Sequence, residues 1–78
     1  MQVAVYYNNR DIRIQEQPIP EIADNEILLQ VKASGICGSD VLEWYRVQKA
    51  PLVLGHEVTG VVAKIGSAVK KFKAGDRV

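Results

Sequence analysis

Asp24-Asn25-Glu26-Ile27-Leu28-Leu29-Gln30-Val31-Lys32-Ala33-Ser34-Gly35 is the stretch that decides the fold class. Asp24-Asn25 is a turn signal. Ile27, Leu29, Val31 and Ala33 then fall on one face of a period-two pattern, with Gln30 and Lys32 on the other. Leu28 is the exception on the polar side. This is a strand, ending near Ser34-Gly35. Upstream, Val3, Val5 and Tyr7 alternate with Ala4 and Tyr6, Asn8-Asn9 signals a turn, and Ile12 and Ile14 alternate with Asp11, Arg13 and Gln15. Two alternating runs joined by asparagines predict a hairpin. Gln17-Pro18-Ile19-Pro20 reads as an extended connector, because neither proline can donate to a ladder.

Downstream, the spacing predicts one short helix over 40–46. Ser39 is a suitable N-cap, Asp40 and Glu43 suit the positive end of the helix dipole, and Val41 and Tyr45 share a face. So short a helix needs packing to hold it. Residues 52–65 are rich in Val, Ile and Leu and are interrupted by Gly55 and Gly60. They predict a strand entry, a glycine-assisted turn and a further strand. Gly66-Ser67 and Gly75-Asp76 are turn signals, and Arg77-Val78 reads as the start of another strand. The order of elements predicts a mainly β fold with one short helix, a small and partly open barrel.

The chain has 78 residues, enough for one small domain or a piece of a larger one. With 47% hydrophobic residues and a net charge of +1, it is not a disordered segment. So small a net charge gives no reason to expect a nucleic acid or an anionic membrane as partner. Cys37 is the single cysteine, so no intrachain disulfide can form. Met1 runs straight into a strand-like segment with no signal-peptide pattern, and no apolar run approaches the ~20 residues that span a bilayer. The expectation is a soluble protein of a reducing compartment, the cytoplasm.

Cys37 and His56 are the only soft metal ligands, and each residue type occurs once. Taken as residue types, a lone Cys is ordinarily a small buried hydrophobe and a lone His a hydrogen-bonding group. Their neighbours change that reading. Cys37 sits in Gly35-Ile36-Cys37-Gly38-Ser39-Asp40, and His56 in Gly55-His56-Glu57-Val58-Thr59-Gly60. Together, G-x-C-G-S-D and G-H-E-x-x-G resemble the zinc-binding half of the medium-chain dehydrogenase/reductase family, in particular its zinc alcohol and polyol dehydrogenases. Gly75-Asp76-Arg77-Val78 is similar to a recurrent turn-and-strand signature of the same family. The resemblance runs along nearly the whole chain. Either zinc motif alone would be weak, and the pair is specific.

The resemblance implies that residues 1–78 are the N-terminal portion of a GroES-like catalytic domain, with the nucleotide-binding Rossmann domain absent. It implies a catalytic zinc held by Cys37 and His56, with Glu57 a conditional ligand. Asp40 would orient the His56 ring, and Ser39 would bond the substrate hydroxyl and start a proton relay. Gly55 and Gly60 would allow a tight turn and a close approach beside the metal. The reaction implied is oxidation of an alcohol or polyol to a carbonyl, with NAD or NADP accepting the hydride. The complete enzyme would be a homo-oligomer. Plainer readings stay open: Ser39 as a helix cap, Asp40 as a favourable charge at a helix start, Glu57 as a solvated strand residue. Trp44 and Tyr45 either line the cleft or pack elsewhere, and Lys70, Lys71 and Lys73 read as a solvated turn.

The family's third protein ligand, its four-cysteine structural zinc site and its glycine fingerprint for the dinucleotide are not among these residues. The chain by itself is therefore expected not to oxidise alcohols. Two rivals remain. The zinc-free quinone and enoyl reductases share the fold but have no need of Cys37, His56 and Glu57 together. A non-enzymatic GroES-like binding module has no use for them either.

Overall fold

A computed structural model describes residues 1–78. The elements run β1 (Gln2–Asn8), β2 (Asp11–Glu16), β3 (Ile27–Gly35), a 3-10 turn (Gly38–Val41), α1 (Glu43–Lys49), β4 (Leu52–Val53) and β5 (Glu57–Ile65). The fold is mainly β with one short α-helix, and both of its sheets are open: β2-β1-β4 and β3-β5. No helix is long and apolar enough to cross a membrane. The chain forms two compact units, residues 1–19 with 35–57, and residues 20–34 with 58–78.

The first unit is built on the expected hairpin, in which β1 and β2 pair antiparallel from Gln2↔Glu16 to Asn8↔Asp11. Two-residue hairpin loops ordinarily need positive φ, but no non-glycine residue here adopts it. The register instead shifts between Tyr6 and Asn8. Tyr7 is the extra residue there, and such a bulge bends and twists its strand locally. The other edge of β1 pairs with β4 through Val5↔Val53 and Tyr6↔Leu52. Alternation predicts opposite environments for Val5 and Tyr6, yet both are buried, at 5% and 1% exposure. The phenol of Tyr6 donates to Asn9 Oδ1 at 2.7 Å, and the Arg46 guanidinium lies 4.8 Å from its ring. A side chain of α1 therefore covers the face that the strand pattern marks as open.

The helix differs from expectation. It splits into the 3-10 turn and α1, with Leu42 between them in extended geometry (φ −90°, ψ 104°). Cys37, not Ser39, caps the first piece, and Leu42 precedes the second. Val41 consequently shares no helix with Tyr45 and is exposed. Asp40 is the physical reason: it bonds back to Cys37 and closes a tight turn before an α-helix can begin.

In the second unit β3 pairs with β5. Only Ile27, Leu28 and Leu29 are partly shielded, while Val31 and Ala33 stay exposed. The alternation in β3 thus marks a face that two strands alone do not cover. Gly60 lies inside β5 rather than at a turn, and a Cβ there would collide with the Gln30 carbonyl oxygen. Its close approach is strand to strand, a correction to the expectation of a role beside the metal. Val61 bridges Arg77 antiparallel, and Gly60 and Val78 exchange backbone bonds of 2.9 and 3.0 Å. Val62, between them, is 1% exposed.

Candidate metal centre

Cys37 leaves β3 with extended backbone (φ −83°, ψ 154°). Its carbonyl accepts the Asp40 N–H at 3.0 Å. In return its own N–H donates to Asp40 Oδ2 at 2.8 Å. This satisfies an orphan donor at the start of the turn and fixes where the Cys37 side chain leaves the backbone. The other carboxylate oxygen, Oδ1, lies 3.4 Å from His56 Nδ1. That is long for a hydrogen bond and short for a charge contact. Asp40 is largely shielded, at 17% exposure, while His56 is about half exposed, at 52%. The backbone delivers His56 through Gly55, whose φ of 112° is a conformation that a residue with a Cβ rarely adopts.

His56 and Glu57 are consecutive, and β5 starts at Glu57. The ligand atoms of Cys37, His56 and Glu57 all lie within 4.8 Å of one another. Zinc bonds of ~2.0–2.3 Å in a tetrahedron put such atoms roughly 3.5 Å apart. Closure by about 1 Å would thus complete a three-donor set of thiolate, imidazole and carboxylate, all of which zinc accepts. Gly35 leaves the room: a Cβ there would stand 3.1 Å from Glu57 Oε2. The sequence reading missed that role, although Gly35 heads the G-x-C motif.

The electrostatics favour a metal-ready state. The Cys37 thiol is held below its ordinary pKa, first by the Ser39 hydroxyl, then by the Ser39 backbone N–H and by His56; desolvation and the Glu57 charge oppose the shift. His56 is raised above its ordinary value, chiefly by its hydrogen bond to the Cys37 sulfur, with help from the negative charge of Asp40 and against some desolvation. The lowered thiol gives up its proton more readily, and a divalent cation that binds the sulfur needs that proton gone.

Of the three donors His56 lines a cleft of about 230 Å³, together with Ser39, Asp40, Tyr45, Arg46 and Lys49, among others. Ser39 is therefore a partner of the sulfur and a wall of the cleft rather than a cap. Of the two aromatics, Tyr45 lines the cleft; Trp44 does not, is 63% exposed, and packs edge-on at 5.9 Å from Tyr45. The two cations in the cleft also escaped the sequence reading, because nothing in their spacing marks them. Lys70, Lys71 and Lys73 are exposed, as a solvated turn requires.

The sequence pattern of the alcohol dehydrogenase GroES-like domain matches residues 23–78. Sorbitol dehydrogenase of Bacillus subtilis is 46% identical over 85 residues, covering 100% of this chain and 24% of the relative. Sorbitol dehydrogenase of Mus musculus is 48% identical over 80 residues, covering 95% and 22%. Among solved structures, 2R,3R-butanediol dehydrogenase from Bacillus subtilis superposes with a TM-score of 0.81 at 32% identity, covering 97% of this chain and 26% of that one. The chain thus spans about a quarter of the length of these relatives.

Proposed function

The chain belongs to the alcohol dehydrogenase GroES-like domain family, and we propose that it forms the metal-bearing part of a zinc-dependent dehydrogenase that oxidises an alcohol or polyol with NAD or NADP. The observation that carries the reading is the convergence of Cys37, His56 and Glu57 within 4.8 Å. The donors come from two short segments, residues 37–40 and 55–57, and nothing in the packing of either needs that donor set. Residues 1–78 are read as the N-terminal part of the catalytic domain, with the dinucleotide bound elsewhere in the complete protein.

Each residue then has a task. Cys37 and His56 hold the metal, and Glu57 approaches it through the space left by Gly35. Asp40 sets the direction of the Cys37 backbone with one oxygen and faces His56 with the other, leaving the second ring nitrogen for the metal. Zinc, when bound, supplies a Lewis acid that lowers the pKa of an alcohol hydroxyl. Ser39, on the cleft wall, would accept the substrate hydroxyl's proton as it releases its own proton to solvent water. The hydride acceptor belongs to the dinucleotide, whose nicotinamide must be held within reach of the substrate carbon.

The test is competition for zinc between the chain and a chromophoric chelator, with Cys37→Ser and His56→Ala beside the parent. One zinc per chain, lost in both variants, supports the reading. Uptake that is absent, or indifferent to both substitutions, overturns it.

A further inference from the structure

Taking the cleft as the substrate site of the proposed dehydrogenase, we propose that Arg46 and Lys49 form a subsite within it for a phosphate group, so that the substrate is a phosphorylated alcohol or polyol. Both residues stand three apart on α1, the spacing at which side chains share a helix face, and both line the 230 Å³ cleft that contains His56.

Their charges are not used within the chain. The ion pairs join the N-terminus to Glu16, Arg13 to Asp11 and His56 to Asp40; neither Arg46 nor Lys49 has a carboxylate partner. Arg46 is nevertheless held in place. Its Nη2 donates to Asn9 Oδ1 at 2.5 Å, and its guanidinium lies 4.8 Å from the Tyr6 ring, which is 1% exposed. Its Nε is buried with no acceptor. Lys49 Nζ sits 4.4 Å from the centre of the Tyr45 ring.

Asp40 is the sole carboxylate lining the cleft, and its oxygens already engage the Cys37 N–H and face His56. Two unpaired cations therefore stand against one carboxylate that is already committed. A planar guanidinium and a mobile ammonium are the pair that phosphate oxygens take as fork and point charge. Positive charge in the last turn of a helix also offsets its dipole, a task that the exposed Lys49 serves as well. That task does not require both cations to be seated on aromatic rings inside a cleft.

The test uses the complete protein that carries this chain. Calorimetry compares binding of a polyol monophosphate with that of the matching neutral polyol, in the parent, Arg46→Gln and Lys49→Gln. The phosphate is expected to bind at least about ten-fold tighter, and each substitution to remove most of that preference, the scale of one charge-assisted bond. Should Arg46→Gln fail to fold, Lys49→Gln, at an exposed position, decides alone. Equal binding of the two polyols overturns the inference, as does a preference indifferent to the substitutions or a loss confined to NAD or NADP affinity. Oxidation of neutral polyols with no phosphate preference overturns the inference and leaves the dehydrogenase reading standing. Phosphate preference without oxidation of any alcohol overturns the dehydrogenase reading and, with it, the substrate, and leaves the phosphate subsite standing.

Discussion

Asp40→Ala and Asp40→Asn separate two tasks that one carboxylate performs. Oδ2 accepts the Cys37 N–H at 2.8 Å, and Oδ1 lies 3.4 Å from His56 Nδ1. Alanine removes both contacts. The turn loses its reciprocal cap, which costs about 0.5–2 kcal/mol of stability. The imidazole also loses the partner that orients it, which lowers zinc affinity about 10–100-fold, or roughly 1.4–2.7 kcal/mol of binding. Asparagine retains an acceptor for Cys37 but not the charge. Its bond to the N–H is about half as strong, so most of the stability survives while the effect on His56 is lost. In urea stability the parent is therefore expected to rank first, Asp40→Asn second and Asp40→Ala last, with both variants well below the parent in zinc affinity. Urea unfolding and chelator competition on the same preparations measure the two quantities. Zinc affinity in Asp40→Ala within about two-fold of the parent would refute the orienting role. Equal stability of Asp40→Ala and the parent would refute the cap.

In the metal-free chain, the His56 imidazole titrates above its ordinary value of 6.5, mainly through the Cys37 sulfur. Cys37→Ala is expected to lower that midpoint in an NMR titration, and an unchanged midpoint would contradict the assigned cause. The sign for stability follows: a raised folded pKa gives a contribution fully present below 6.5 and lost as pH rises through the folded midpoint. The Cys37 thiol runs the other way. Its contribution is present above 9.0 and lost as pH falls through its lowered folded value. Gly60→Ala must push β3 and β5 apart at Gln30, at a cost of about 1–3 kcal/mol by urea unfolding; a neutral result would show that the strands part freely. Tyr6→Phe removes the bond to Asn9 Oδ1 and is expected to cost about 0.5–1.5 kcal/mol, with no loss of zinc affinity.

What the residue order settled by itself is local. Alternation in residues 3–7 and 11–15 was enough for the hairpin, since a period of two describes a strand wherever it is placed. Gly55 announced the turn before His56 because few other residues tolerate its φ of 112°. The paired motifs around Cys37 and His56 pointed to both as candidate metal ligands through family resemblance. The rest depended on contacts between distant residues. Tyr6 is buried because Arg46, far along the chain, lies on its ring; strand periodicity contains no information about what later covers a face. The helix broke at Leu42 because Asp40 bonds back to Cys37. Helix propensity could not show that choice, as an acid near a helix start favours either outcome. Ser39 became a partner of the sulfur for the same reason. Most of all, the distance of 4.8 Å within the donor set is a tertiary quantity: Cys37 and His56 belong to separate segments, and only folding brings a thiol to an imidazole with enough force to shift both of their pKa values.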